Sequence, residues 1–176
     1  MSSSVTFYVD ADACPVKDEV LRVALRAGLR TIFVGNSRLR LPDDPLIESV
    51  VVATEPDAAD DWIAARVGPG SVVVTADVPL AARCVETGAR VVTPKGRILD
   101  AASIGPALAT RDLLDDLRSA GATTAGPAPF APRDRQTFLQ ALDREMRRAA
   151  HDLAGTGRRP PPVRPKLRHW EANHDL

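Results

Sequence analysis

Six aspartates stand where a carboxylate can do chemistry. Asp10 and Asp12 close the run VTFYVDADACP, Asp77 closes SVVVTADVPL, and Asp57, Asp60 and Asp61 open DAADDWI. Carboxylates gathered in one place repel one another unless something positive sits among them. A ligand set of oxygen alone, without His or Cys, points to a hard cation, Mg²⁺ or Mn²⁺. Such a metal activates water and neutralises charge on a phosphoryl oxygen, which is the logic of phosphodiester cleavage. Each aspartate also has a structural reading. Asp at a strand end shapes turns and caps helices, Asp57 suits an N-cap, and Asp60 with Asp61 suits a solvated helix face. Only their joint position argues for a site.

That position depends on the elements that carry them. Short β-branched runs alternate with amphipathic ones, the pattern of an α/β fold built on a parallel sheet. The strands expected are Val5–Val9, Thr31–Val34, Val50–Ala53, Val72–Thr75 and Arg90–Val92. Their consecutive apolar residues suit strands covered on both faces. A first helix carries the stripe Val16, Val20, Val23, Ala24 and Ala27, with Pro15 in its first turn and Gly28 ending it. A second is expected from about Asp57 to Val67, a third from Pro79 to about Thr87, and a fourth over Ser103–Ala120 with Leu108, Leu113, Leu114 and Leu117 as its apolar set. Gly121–Pro132 reads as a loop, and Asp134 as the N-cap of a last helix carrying Phe138, Leu139, Leu142 and Met146. The fold expected is a three-layer Rossmann-like α/β sandwich with a mainly parallel five-stranded sheet. In such sheets ligands bind at the carboxyl ends of the strands, beside the point where the winding reverses. Asp10 and Asp77 converge there if the first and fourth strands are neighbours. The i, i+3, i+4 spacing of Asp57, Asp60 and Asp61 is read as one face, opposite Ala59, Trp62 and Ile63.

Composition bounds the rest. At 176 residues, with 44% hydrophobic and 26% charged residues, the chain suits one globular domain with its own core. Lys plus Arg equals Asp plus Glu at 23 each, so no global charge draws the chain to nucleic acid or membrane. An anionic partner must meet a local patch. Cys14 and Cys84 lack metal or disulfide spacing. No apolar run approaches the ~20 residues of a membrane span, and MSSSVTFYVD has no signal-peptide character. A cytoplasmic location is expected. Residues 1–150 read as the compact domain and 151–176, rich in Pro and Arg, as a flexible tail.

The segments VDADACPVKDEV, DAADDWI, VVTADVPLAARCVETGARVVTPKGR and GPAPFAPRDRQTFLQALD resemble the YaiI/YqxD family of bacterial proteins. The resemblance implies a PIN-like domain, related to metal-dependent RNA nucleases. It implies an acidic site of Asp10, Asp12, Asp60, Asp61 and Asp77, with Asp10, Asp12, Asp61 and Asp77 as metal ligands and Lys17 as the nearest basic neighbour. Thr75 would form the T-x-D arrangement with Asp77. Asn36, Arg38, Lys95 and Arg97 would contact phosphates. The function so implied is Mg²⁺- or Mn²⁺-dependent cleavage of RNA.

Other readings remain open. VDADAC also resembles the start of the haloacid-dehalogenase phosphatase motif, with Asp10 as nucleophile and Asp12 as acid/base, although Cys14 stands where that motif has Thr or Val. Cys14 at a helix start raises the reading of a reactive thiol. The third is an RNA- or nucleotide-binding module with a vestigial acidic site, in which Arg158, Arg159, Arg164, Lys166, Arg168 and Trp170 bind phosphates and stack on a base.

Overall fold

The computed structural model describes residues 4–12, 14–123, 126 and 128–155. The strands are β1 (Thr6–Asp10), β2 (Arg30–Gly35), β3 (Ile47–Val51), β4 (Ser71–Val74), β5 (Arg90–Val92) and β6 (Ile98–Leu99). The helices are α1 (Lys17–Ala27), α2 (Ala58–Ala64), α3 (Val78–Glu86), α4 (Ile104–Ser119) and α5 (Pro132–Gly155). The strands form one six-stranded sheet in the order β3-β2-β1-β4-β5-β6. All pairs are parallel except β5 with β6.

Side chains along the strands alternate between two cores. Phe7, Val9, Phe33, Val72, Val74 and Val92 face α1 and α5, packing with Val20, Ala24, Phe138 and Leu142. Ile32, Val34, Val73 and Val91 face the other way, against Ile63, Leu80, Ala81 and Cys84 of α2 and α3. A strand buried on both faces needs no polar residue at every second position. Hence the continuous apolar runs of β1, β2, β4 and β5 mark them in the sequence.

Several expectations shift. A sixth strand, β6, hairpins back on β5; two residues give no periodicity to read. β3 begins three residues before the expected Val50–Ala53, because it is the sheet's edge and carries Glu48 and Ser49 among half-exposed positions. The apolar set of α4 is not its buried face. Only Ala107 is buried, and Leu113 and Leu117 are 59% and 39% exposed, since α4 packs on α3 rather than on the sheet. Asp134 is not the N-cap of α5: the helix opens at Pro132, and the Asp134 carboxylate reaches back to accept the Ala131 N–H at 2.7 Å. That is half of a capping box.

α1 opens at Lys17 with Pro15 just outside it, and ends as expected on Gly28 in the left-handed conformation. α5 runs to Gly155, so residues 151–155, assigned to the tail, belong to this helix; the remainder of that stretch, from residue 156, lies outside the described residues. Among the described residues no helix is long and apolar enough to cross a membrane.

Candidate active site

β1 lies between β2 and β4, and the chain winds outward from it in both directions. The carboxyl ends of β1 and β4 therefore form the switch point, where neighbouring connections part and leave a crevice. Asp10 is the last residue of β1, on the side that Tyr8 shares and that faces α2 and α3. Asp77 follows β4 as the N-cap of α3, its Oδ1 accepting the Leu80 N–H at 2.9 Å. Thr75, 1% exposed, joins the two. Its hydroxyl donates to Asp10 Oδ2 at 2.9 Å and accepts the Asp77 N–H at 3.0 Å.

Asp12 extends across the end of β2. Its Oδ1 accepts the Asn36 N–H at 3.2 Å, and a Cβ built on Gly35 would stand 2.8 Å from that same oxygen. Glycine at the end of β2 makes the room that Asp12 occupies. The opposite wall is the segment 52–56 with Asp57 and Asp60. Together with Asp10, Asp12 and Asn36 they line a cleft of about 220 Å³. Asp57 holds the N-cap position of α2 but makes no side-chain cap, and it is the one non-glycine residue with positive φ, 68°, among the described residues. Asp and Asn tolerate that region better than most residues, yet it still costs energy.

The acids perturb one another. Burial, then Asp77, Asp10 and Asp57, push Asp60 up to about 6, with Arg83 opposing. Burial also raises Asp10; Thr75 draws it back, and Asp12 and Asp77 add to the rise. Both carboxylates are thus held at a disadvantage when ionised, the condition a divalent cation relieves.

Asp60 and Asp61 part company. Asp60 shares a helix face with Ile63, which is fully buried, and so turns inward; Asp61 is exposed and pairs with Arg83 at 2.7 Å. The reading of Asp57, Asp60 and Asp61 as one face opposite Ile63 is therefore corrected. The i, i+3 relation of Asp60 to Ile63 was the signal that separates the two acids. Gly35 and the 52–56 wall had no such signal, because the first is a matter of space and the second of loop path.

The expected cations fall at the same sheet edge but not on the acids. Lys17 opens α1, and its charge acts on the Cys14 thiol. Asn36 lines the cleft, and Arg38 is exposed two residues beyond it. Lys95 and Arg97 lie in the turn between β5 and β6, where the Lys95 ammonium donates to the Ala128 carbonyl and the Arg97 N–H to Thr93 Oγ1. Cys14 is pushed up by burial, which the Val16 N–H opposes and to which Asp10 and Glu19 add, so it is no ready thiolate.

As the side chains stand, no three His, Cys, Asp or Glu among the described residues are close enough together to hold a metal ion. The donor chemistry nonetheless suits a hard cation: Asp10, Asp12, Asp60 and Asp77 offer oxygen alone, and two of them resist ionisation in its absence.

The model of the uncharacterized YaiI/YqxD family matches residues 8–148, which include every one of these acids. The chain belongs to the YaiI/YqxD family. Among its relatives, a UPF0178 protein of Bradyrhizobium sp. (strain ORS 278) is 52% identical over 153 residues, 87% of this chain and 93% of that one. Another, from Azorhizobium caulinodans, is 60% identical over 139 residues, 79% of this chain and 87% of its own. A third, from Rhodopseudomonas palustris (strain HaA2), is 56% identical over 160 residues, covering 90% and 94%. Among solved structures, yeast methylglyoxal/isovaleraldehyde reductase Gre2 complexed with NADPH aligns with 65% of this YaiI/YqxD chain and 50% of its own at 13% identity; its TM-score of 0.36 carries no argument about function.

Proposed function

We propose that this YaiI/YqxD chain is a PIN-like hydrolase that cleaves RNA phosphodiesters with Mg²⁺ or Mn²⁺. One observation carries the reading: Asp10, Asp12 and Asp60 line one cleft at the sheet's switch point, and Asp77, linked to Asp10 through Thr75, acts on Asp60 from beside it, so acids of three separate segments gather there. Asp10 and Asp77, tied through Thr75, would hold the cation, with Asp12 and Asp60 completing its oxygen set. When bound, the metal lowers the pKa of water and screens charge on the phosphoryl group. Arg38 and Arg97 would meet the flanking phosphates, whereas Lys95 would position the loop at Ala128. Asp61 would act through Arg83 rather than on the metal.

A second reading, a nucleotide- or RNA-binding module without turnover, is favoured by the lack of a closed three-ligand set among the described residues. Calorimetric and thermal-shift titration of Mg²⁺ and Mn²⁺, followed by cleavage of a labelled single-stranded RNA, separates the two. Saturable binding lost in Asp10→Asn/Asp77→Asn, with metal-dependent cleavage, supports the hydrolase. RNA affinity that persists in EDTA without turnover supports the module, and absence of metal binding from the wild type sinks the hydrolase.

A further inference from the structure

A larger cavity, about 520 Å³, opens at the opposite edge of the sheet, by the amino end of β5. That volume lies in the range of small-molecule sites, ~300–1,000 Å³. Val85 of α3 and Leu99 of β6 give it an apolar wall. Its polar lining is an organised set of charges rather than a solvated rim. Arg90 gives two hydrogen bonds to Asp152, both 2.9 Å, and stands 3.7 Å from Glu145. Glu145 is 1% exposed, and its other oxygen takes Arg148 at 3.1 Å. Asp100 completes the set at the turn into α4, with Oδ1 held by the Ala102 and Ser103 N–H groups at 3.0 Å each.

The lining carries three carboxylates, Asp100, Glu145 and Asp152, against Arg90; with Arg148, which pairs with Glu145 and also acts on Asp100, and His151 counted neutral, one negative charge is in excess. The carboxyl end of α3, whose backbone carbonyls carry partial negative charge, lies at the same edge, where Val85 and Gly88 line the cavity. An anion would meet net repulsion here, whereas a cation would meet an exposed carboxylate, Asp100. We propose that this cavity binds an organic cation, an alkylguanidinium or alkylammonium whose apolar body lies along Val85 and Leu99 while its charged head meets Asp100. The acidic cleft at the other edge plays no part in it.

Guanidinium groups have two sources: a free small molecule, or the chain's own arginines. Arg158 and Arg159 follow Gly155 by three and four residues. The test is calorimetric titration of n-butylguanidinium into the full chain and into Arg158→Glu/Arg159→Glu, with 1-pentanol as the uncharged control. Saturable binding at about millimolar affinity, an ordinary strength for so small a ligand, supports the site if Asp100→Asn weakens it about tenfold and Val85→Phe abolishes it. Binding in the wild type identifies a free ligand as the source; binding that needs the Glu substitutions identifies the chain's own arginines. No saturable binding in either protein overturns the proposal. So does binding untouched by Val85→Phe, or pentanol binding as tightly as the cation. Each variant is first compared with the wild type in thermal denaturation, and should Asp100→Asn unfold, Asp100→Ser, whose hydroxyl can still accept from the N–H groups of this turn, takes its place.

Discussion

Replacing Asp60 by asparagine removes a charge from a place where three other carboxylates oppose it. Raising this carboxyl from its ordinary 3.8 to about 6 is worth ~3 kcal/mol at ~1.4 kcal/mol per pKa unit. The side chain is only half buried, so solvent screening reduces the effect to about 1–2 kcal/mol. Its sign follows from proton binding. Between pH 3.8 and about 6 the folded chain holds a proton that the unfolded chain has lost, so the contribution of this group to stability falls as pH rises through that window. Above it the full penalty is present. Asp60→Asn is therefore expected to be more stable than wild type by about 1–2 kcal/mol at pH 7.5, with the advantage shrinking towards zero by pH 4. Urea denaturation followed by circular dichroism at both pH values, in EDTA, gives the difference directly. A variant less stable than wild type at pH 7.5, or an advantage that does not change with pH, would refute the reasoning. Adding Mn²⁺ should reverse the ranking if the acids hold a cation, because only the wild type then gains binding energy.

Two further substitutions probe the scaffold of the cleft, and a third the packing of the β5–β6 turn on α5. Thr75→Val keeps the shape but leaves Asp10 Oδ2 and the Asp77 N–H without the hydroxyl between them; a loss of about 1–3 kcal/mol in urea denaturation is expected, with the Asp10 carboxyl rising further in an NMR titration. Gly35→Ala would bring its Cβ to 2.8 Å from Asp12 Oδ1, the movable end of a side chain. The fold should survive with little change in melting temperature, while any Mn²⁺ affinity measured by calorimetry falls as Asp12 is displaced. Gly96→Ala contrasts with it: φ is 84° and the added Cβ would stand 2.6 Å from the Thr137 carbonyl carbon and 2.7 Å from the Phe138 N, atoms of the α5 backbone. Strain and clash together should cost more than ~2 kcal/mol in thermal denaturation.

The parts of this fold that the sequence discloses are those in the middle of the sheet, where helices cover both faces. β1, β2, β4 and β5 are covered on both faces, so their core residues are apolar and mark them in the sequence. The edge strand β3 and the two-residue β6 are half wet or too short, and there the pattern fails. The acidic site divides in the same way. Asp10, Asp12 and Asp77 follow strand ends, and parallel topology alone brings strand ends to one edge; their meeting needed only the adjacency of β1 and β4. Asp60 and Asp61 differ by one residue, a rotation of ~100° on a helix, and which of them faces the sheet is decided by where Ile63 is buried. The α4 leucines show the converse. Leu113 and Leu117 have the spacing of a buried stripe, but periodicity says only that a helix has an apolar side, not that the rest of the chain covers it. What the sequence withheld is what depends on space between backbones: the glycine that admits Asp12, the left-handed turn at Asp57 and the path of the 52–56 segment. These decide how the carboxylates face one another. The types of the site's residues can therefore be read from strand ends, while their mutual geometry rests on loops that carry no period.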